Sequence, residues 1–192
     1  MYTRIKEIIQ SSIAVKALVL ADENLLANTR KVIDAIVNCY RNGGKVLLCG
    51  NGGSAADAQH LAAELSGRFY YDRAPLNAEA LHVNTSFLTA VGNDYSFDDV
   101  YARMIFAAGK PGDVLVALST SGNSPNILKA ATAAREIGLI VVGMTGKSGG
   151  NLNPLCDLLL NIPSGDTPRI QESHITLGHI ICELVESELF PR

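Results

Sequence analysis

The sequence has no tryptophan, and only four of its 192 residues are cysteines. Cys39, Cys49, Cys156 and Cys182 form no CxxC pair, and each lies among apolar residues. We therefore expect buried free thiols rather than disulfides or a metal held by cysteine. Positive charge is not in excess either, because 16 Lys and Arg residues are balanced by 19 Asp and Glu residues. This balance excludes an overall basic field that would attract nucleic acid or an anionic membrane.

Long apolar runs are also missing. The longest, Val114–Leu118 and Leu139–Val142, are far shorter than the roughly 20 residues that span a bilayer. The N-terminal segment MYTRIKEIIQSS carries charge and has neither an apolar signal core nor a small-residue cleavage site. We expect a cytoplasmic protein with no membrane or nucleic-acid partner, and one domain over residues 1–192.

Residues 1–42 show the apolar periodicity of two amphipathic helices, over 5–19 and 24–40. Asp22 is placed to cap the second helix, and Gly43 and Gly44 are placed to end it. We interpret this pair as an N-terminal helical extension. Its apolar stripe must be covered, and a partner subunit is a candidate for that role.

Beyond Gly44, short apolar runs alternate with helical stretches. The runs are KVLLCG, AEALHV, DVLVALS, LIVVGMT and DLLLNI. Two of them are apolar almost throughout, as in parallel strands that are covered on both faces. The pattern predicts an α/β fold: a three-layer α/β/α sandwich with about five parallel strands, preceded by the N-terminal helices. Ligands of such a fold bind at the carboxyl ends of the strands.

Two polar loops follow predicted strands. Glycines in the first loop, Gly50–Ser54, allow the main chain to direct its N–H groups at an anion, and the second, Ser119–Ser124, adds four hydroxyls. Both could instead be ordinary strand-to-helix turns with serine caps. Neither loop has the spacing of a dinucleotide or ATP motif. Because the second loop also lacks a lysine, it favours a monophosphate held by hydroxyls and amides.

Four polar residues could form a catalytic or metal site on two helices. His60 and Glu64 are four apart and share a helix face, although such a pair is more often a solvated surface contact. On the C-terminal helix, spacing places Glu172 on the face of His179, whereas Gln171 is about 80° away. A His/Glu pair with a second His and an oxygen donor would suit zinc. Spacing alone would select Glu172 as this oxygen donor.

A third polar segment, Val91–Tyr95, follows the apolar run over 87–91. Asn93 and Asp94 suit local caps in a turn, and Asp94 could instead bind a substrate hydroxyl. We interpret His82 as a strand or core residue with no catalytic role.

Four motifs together resemble the sugar isomerase (SIS) domain family, and within it the phosphoheptose isomerases. They are GNGGSAADAQHLAAEL, VGNDYSF, GDVLVALSTSGNSPNILKA and RIQESHITLGH. The resemblance covers nearly the whole chain and implies a SIS-type, flavodoxin-like fold. It also implies isomerisation of D-sedoheptulose 7-phosphate to D-glycero-D-manno-heptose 7-phosphate, for lipopolysaccharide or surface glycans. The enzyme would be a cytoplasmic homotetramer with sites at subunit interfaces and one zinc ion per subunit.

The resemblance also implies roles for particular residues. Glu64 would be the catalytic base and His179 the acid, and both would contribute to the metal site. The zinc ligands would be His60, Glu64, Gln171 and His179, so the resemblance selects Gln171 where periodicity favours Glu172. Substrate would be bound by Asn51, Gly52, Gly53, Ser54, Glu64, Asn93, Asp94 and Gln171, and its phosphate by Ser119, Thr120, Ser121 and Ser124.

Two other functions are alternatives to the isomerase. One is a non-catalytic SIS-domain regulator that binds the replication initiator, which would have no use for the acid, base and metal residues together. The other is a sugar-phosphate sensor joined to a DNA-binding domain, and no such domain is present in the sequence.

Overall fold

The computed structural model describes all 192 residues and contains one five-stranded parallel sheet in the order β2-β1-β3-β4-β5. The strands are β1 (Val46–Cys49), β2 (Ala78–Ala80), β3 (Val114–Ser119), β4 (Ile140–Thr145) and β5 (Leu158–Asn161). Every residue of β1 and β3 is buried, as expected for strands covered on both faces. This sheet confirms the predicted class and the predicted number of strands.

The chain has seven α-helices. They are α1 (Tyr2–Ala21), α2 (Glu23–Arg41), α3 (Gly53–Ser66), α4 (Thr85–Asp94), α5 (Val100–Ala108), α6 (Pro125–Glu136) and α7 (Thr167–Leu189). Helix α1 packs on α2 and α7 rather than on the sheet. Helices α2, α3 and α7 contribute to the apolar core on one face of the sheet, and α4, α5 and α6 to the core on the other. The structure therefore has the three predicted layers. None of the helices combines the length and the hydropathy that a membrane span needs.

The N-terminal helices pack on the C-terminal helix. The side chain of Asp22 accepts a hydrogen bond from the Leu25 amide at 3.0 Å, which confirms it as the cap of α2. The Ser12 hydroxyl donates to Glu172 at 2.6 Å, and the Arg169 guanidinium donates to the Ile8 carbonyl at 2.8 Å. These contacts hold α1 against the start of α7.

Helix α4 has no counterpart among the elements predicted from the sequence. The Asn84 side chain accepts a hydrogen bond from the Phe87 amide and caps the helix, which then runs to Asp94. The polar segment predicted as a turn is therefore mostly the last turn of a helix, and β2 is shorter than the run AEALHV. A short capped helix is poorly visible in the sequence because its apolar residues, over 87–91, span fewer than two turns.

All four cysteines are free thiols, as predicted. Burial raises the pKa of Cys39 to about 11 and the pKa values of Cys156 and Cys182 to about 12. These thiols therefore stay protonated at neutral pH and are poor nucleophiles.

Candidate active site

Helices α3 and α7 bring three of the candidate catalytic and metal residues together. The Nε2 atom of His60 lies 3.0 Å from Nε2 of His179 and 3.3 Å from a carboxylate oxygen of Glu64. The two imidazole rings meet edge to face, with centroids 5.2 Å apart. An imidazole pair and a carboxylate therefore share one location, although their helices are separated by most of the chain.

A glycine allows the two helices to approach at this point. A Cβ atom on Gly178 would lie 2.7 Å from the Leu61 side chain, too close for any real contact. Gly178 directly precedes His179, and Leu61 directly follows His60. The missing side chain thus permits the interhelical distance at which the two imidazoles meet.

Gln171 and Glu172 of α7 contact different neighbours. The amide nitrogen of Gln171 lies 2.7 Å from the position of a Cβ atom on Gly53, at the start of α3. Glu172 instead accepts hydrogen bonds from Arg169 at 2.6 Å and from Ser12 of α1. Helical spacing alone favoured Glu172 for the site, but this carboxylate is engaged with the N-terminal helix.

The imidazole pair and the carboxylate are the kinds of donor that bind zinc. No three His, Cys, Asp or Glu side chains surround a common point in this conformation. The observed separations of 3.0 and 3.3 Å are nevertheless close to the roughly 3.3 Å between ligand atoms that tetrahedral zinc imposes. Two imidazoles and a carboxylate are also donors that zinc prefers. In the chemistry of their donor atoms, and in the two separations measured from His60, these residues suit this ion.

Asp57 is a residue near the site that the sequence analysis missed. Its Oδ2 atom is buried and has no hydrogen-bond partner. Burial raises the pKa of this carboxyl, and the nearby imidazoles of His60 and His179 oppose the rise. A buried acceptor beside imidazoles is the usual means of orienting histidine ligands. The sequence signal for this residue is its position, one helical turn before His60 on α3.

The predicted phosphate loop lies at the carboxyl end of β3. The hydroxyl oxygens of Ser119 and Ser124 are 3.1 Å apart, and Ser124 precedes α6 without capping it through its side chain. Gly122 has a φ of 66°, and a Cβ atom there would lie 2.1 Å from the Gly149 carbonyl oxygen. The turn is therefore tightly packed and presents its hydroxyls at the positive end of α6.

A cavity of about 650 Å³ opens beside this loop. Of the predicted phosphate residues, Thr120 and Ser121 line it. Lys147 is the only charged residue on its wall, and the other lining residues are Asn123, Ser148, Ser164, Gly165, Thr167 and Ile170. Lys147 follows β4, which pairs with β3, and therefore lies at the same edge of the sheet as the serine loop. Its ammonium group is a cation beside a loop that has no lysine of its own.

The glycine loop is fixed by side-chain contacts. The amides of Asn51 and Asn126 exchange two hydrogen bonds, of 2.9 and 2.8 Å, which tie this loop to α6. The Tyr101 hydroxyl donates to the Gly50 carbonyl. Gly52 has a φ of 56°, and Ser54 is buried at the start of α3. The loop is therefore rigidly placed at the carboxyl end of β1.

Asn93 and Asp94 lie apart from the cavity. Both are exposed at the end of α4, where the Asn93 amide donates to the Asp94 carboxylate at 2.8 Å. The ring of His82 is partly buried after β2, and burial lowers its pKa.

The parallel sheet, the hydroxyl-rich loop after β3 and the imidazole–carboxylate cluster together define a domain of the sugar-isomerase type. Residues 13–146 match the model of the SIS domain. The chain belongs to this family, among its phosphoheptose isomerases. It is 56% identical over 185 residues to a phosphoheptose isomerase of Mycobacterium tuberculosis, covering 96% of this chain and 94% of that protein.

Two further comparisons agree. A phosphoheptose isomerase of Aneurinibacillus thermoaerophilus is 53% identical over 186 residues, covering 97% of this chain and 94% of that protein. The solved structure of a phosphoheptose isomerase from Neisseria gonorrhoeae superposes with a TM-score of 0.91 at 43% identity. That match covers 97% of this chain and 98% of the other.

Proposed function

We propose that this chain is an aldose–ketose isomerase that interconverts D-sedoheptulose 7-phosphate and D-glycero-D-manno-heptose 7-phosphate, the first step of heptose synthesis. The reaction is that of the named relatives, which match nearly the full length of this chain. The observation that carries the proposal is the convergence of His60, Glu64 and His179 at separations of 3.0 and 3.3 Å. Such a cluster supplies a base and an acid at one location.

The chemistry moves a proton between two adjacent carbons through an enediol. This step needs a base over the carbon and an acid at the oxygen. The carboxylate of Glu64 serves as the base, and the imidazole of His179 serves as the acid. His60 contacts both groups, with its Nε2 atom 3.0 Å from His179 and 3.3 Å from Glu64.

The phosphate end of the substrate is held by the loop after β3. Hydroxyls of Ser119, Thr120, Ser121 and Ser124 donate to phosphate oxygens, and Lys147 supplies positive charge. Binding energy from this group, remote from the reacting carbons, fixes the orientation of the sugar. The remaining predicted contacts, from Asn51, Gly52, Gly53, Ser54, Gln171, Asn93 and Asp94, are assigned to the sugar.

Zinc, one ion per subunit, would be held by His60, Glu64, Gln171 and His179. When bound, it supplies positive charge where negative charge develops in the reaction. The orphaned oxygen of Asp57 supports this assignment, because it can accept a hydrogen bond from an imidazole that ligates through its other nitrogen. A carboxylate that binds a metal is a weaker base, so zinc binding by Glu64 would reduce its strength as the catalytic base.

The proposed assembly is a homotetramer with its sites at subunit interfaces. Ile5, Ile9 and Ile13 of α1 are between 50% and 61% exposed, and this apolar face requires a cover. The imidazole of His60 is also exposed in the single chain, so a neighbouring subunit would close the site. We place the enzyme in the cytoplasm, where phosphorylated sugars are made.

The alternative function, a non-catalytic regulator bound to the replication initiator, is not favoured. The relatives are named as isomerases, and a regulator would not need the acid, base and metal residues together.

The test is incubation of the metal-analysed protein with D-sedoheptulose 7-phosphate, with the aldose product followed by NMR. The proposal expects D-glycero-D-manno-heptose 7-phosphate to form catalytically, and zinc to be present in about equimolar amount. Absence of the aldose with metal-loaded protein would refute the proposed reaction.

A further inference from the structure

A buried ion pair lies behind the candidate catalytic cluster. The Nε atom of Arg73 is 3.0 Å from a carboxylate oxygen of Glu186, and the two side chains are only 2% and 1% exposed. Glu186 belongs to α7, about two helical turns beyond His179 and therefore on the same helix face. Arg73 belongs to the segment that connects α3 to β2.

Arg73 binds the carbonyl end of the helix that carries the candidate base. Its guanidinium donates to the carbonyl oxygens of Leu65 at 2.8 Å, Gly67 at 3.1 Å and Glu64 at 2.9 Å. The last carbonyls of a helix have no partner within the helix, and α3 has no basic residue in its last turn. Arg73 therefore completes the end of α3, and one of its acceptors is the main chain of Glu64 itself.

Glu186 fixes the segment that touches the candidate acid. Its carboxylate accepts hydrogen bonds from the amides of Phe69 at 2.9 Å and Tyr70 at 2.7 Å. The ring of Phe69 then lies 5.9 Å from the ring of His179. Burial raises the pKa of Glu186, but these amides and Arg73 outweigh it and lower the pKa overall, so the group remains charged.

The ion pair thus connects both partners of the proposed proton transfer. Replacing a buried ion pair with apolar residues of similar size is often neutral for stability, so stability alone does not account for it. A role in orienting the catalytic groups accounts for the ion pair, because a misplacement of a catalytic group by about 1 Å costs about 100-fold in rate. We propose that Arg73 and Glu186 are positioning residues that set Glu64 and His179 at their working separation, an inference that rests on the proposed isomerase function.

The test compares two buried ion pairs in the full-length protein. The double variant Arg73→Met/Glu186→Leu removes the pair behind the site. The matched control Lys45→Met/Asp113→Leu removes another largely buried pair, with a separation of 2.7 Å, that lies at the amino ends of β1 and β3. Arg73→Lys is the second test variant, because it keeps the charge but loses the fork that reaches several carbonyls at once.

Each variant is assayed with D-sedoheptulose 7-phosphate at a temperature at which it is fully folded. We expect both Arg73 variants to lose about 10- to 100-fold in kcat while KM stays within about twofold, since the phosphate loop is untouched. The control should keep the wild-type kcat. A wild-type kcat in a folded Arg73 variant, or an equal loss in the control, would overturn the proposal.

A second readout does not depend on turnover. The imidazole nitrogen shifts of His179, followed by NMR, should change in both Arg73 variants and stay unchanged in the control. Unchanged His179 shifts in the Arg73 variants would overturn the positioning role. If wild-type protein fails to convert the sugar, the proposed function fails, and the His179 shifts still decide whether the ion pair positions this residue.

Discussion

Gln171 of α7 lies over Gly53 at the start of α3, with its amide nitrogen 2.7 Å from where a Cβ atom would stand. A methyl group at position 53 would displace the flexible amide without disturbing the backbone. We expect Gly53→Ala to leave stability unchanged or slightly raised, because alanine favours helices, while turnover falls about 10-fold. Gly92→Ala is the control, since nothing lies within 4 Å of its Cβ position in α4. Steady-state kinetics and melting curves measure both effects, and wild-type turnover in Gly53→Ala would refute the role of Gln171.

Lys147 is expected to contribute to substrate affinity. It is the only charged residue on the cavity wall beside Thr120 and Ser121. Lys147→Gln should raise KM for the phosphorylated sugar about 10-fold with little change in kcat, because a charged hydrogen bond to phosphate is lost. Lys110→Gln removes another exposed lysine, outside the cavity, and should not change KM. Equal KM values for the wild type and Lys147→Gln would exclude Lys147 from the phosphate site.

The exposed face of α1 provides a test of assembly. Ile9 and Ile13 are 54% and 61% exposed in the single chain. The double variant Ile9→Glu/Ile13→Glu places charges on this face and should lower the mass in light scattering from a tetramer of 20.4 kDa chains to smaller species. Phe106→Glu, on α5, is the control for an exposed apolar residue elsewhere. A wild-type protein that is monomeric would contradict the proposed assembly.

His174 predicts a pH dependence of stability. It is fully buried, its Nε2–H donates to the Thr145 carbonyl at 3.1 Å, and burial lowers its pKa from 6.5 to about 4. As the pH falls, His174 is protonated at a higher pH in the unfolded chain than in the folded chain. The free energy of unfolding therefore falls by about 3 kcal/mol as the pH drops from 6.5 towards 4. His174→Gln should flatten the pH dependence of the unfolding free energy in this window, measured by urea titration. An unchanged slope would show that other groups control it.

Much of the architecture could be predicted because buried parallel strands are continuous apolar runs. KVLLCG, DVLVALS and LIVVGMT each contain a strand of the sheet. The α4 helix was not predicted, since its apolar segment spans fewer than two helical turns. The candidate site is harder to predict from the sequence, because its composition depends on which helices and strands become neighbours in the fold.

Periodicity placed Glu172 with His179, but α1 packs on that side of α7 and engages Glu172 through Ser12. Only the pairing of β4 with β3 brings Lys147 to the same sheet edge as the phosphate loop. The approach of Gly178 to Leu61 has no sequence signal beyond a glycine in a helix. These are tertiary relationships, and local pattern does not contain them.

The most direct test of the account is the rate of aldose formation from D-sedoheptulose 7-phosphate by Glu64→Gln, with calorimetry of substrate binding to the same variant. Glu136→Gln, an exposed carboxylate on α6, is the control and should behave like the wild type. If Glu64 removes the proton, the variant binds the sugar within a few-fold of the wild type but turns it over at least about 1000-fold more slowly. Turnover close to the wild-type rate by Glu64→Gln would contradict the central claim.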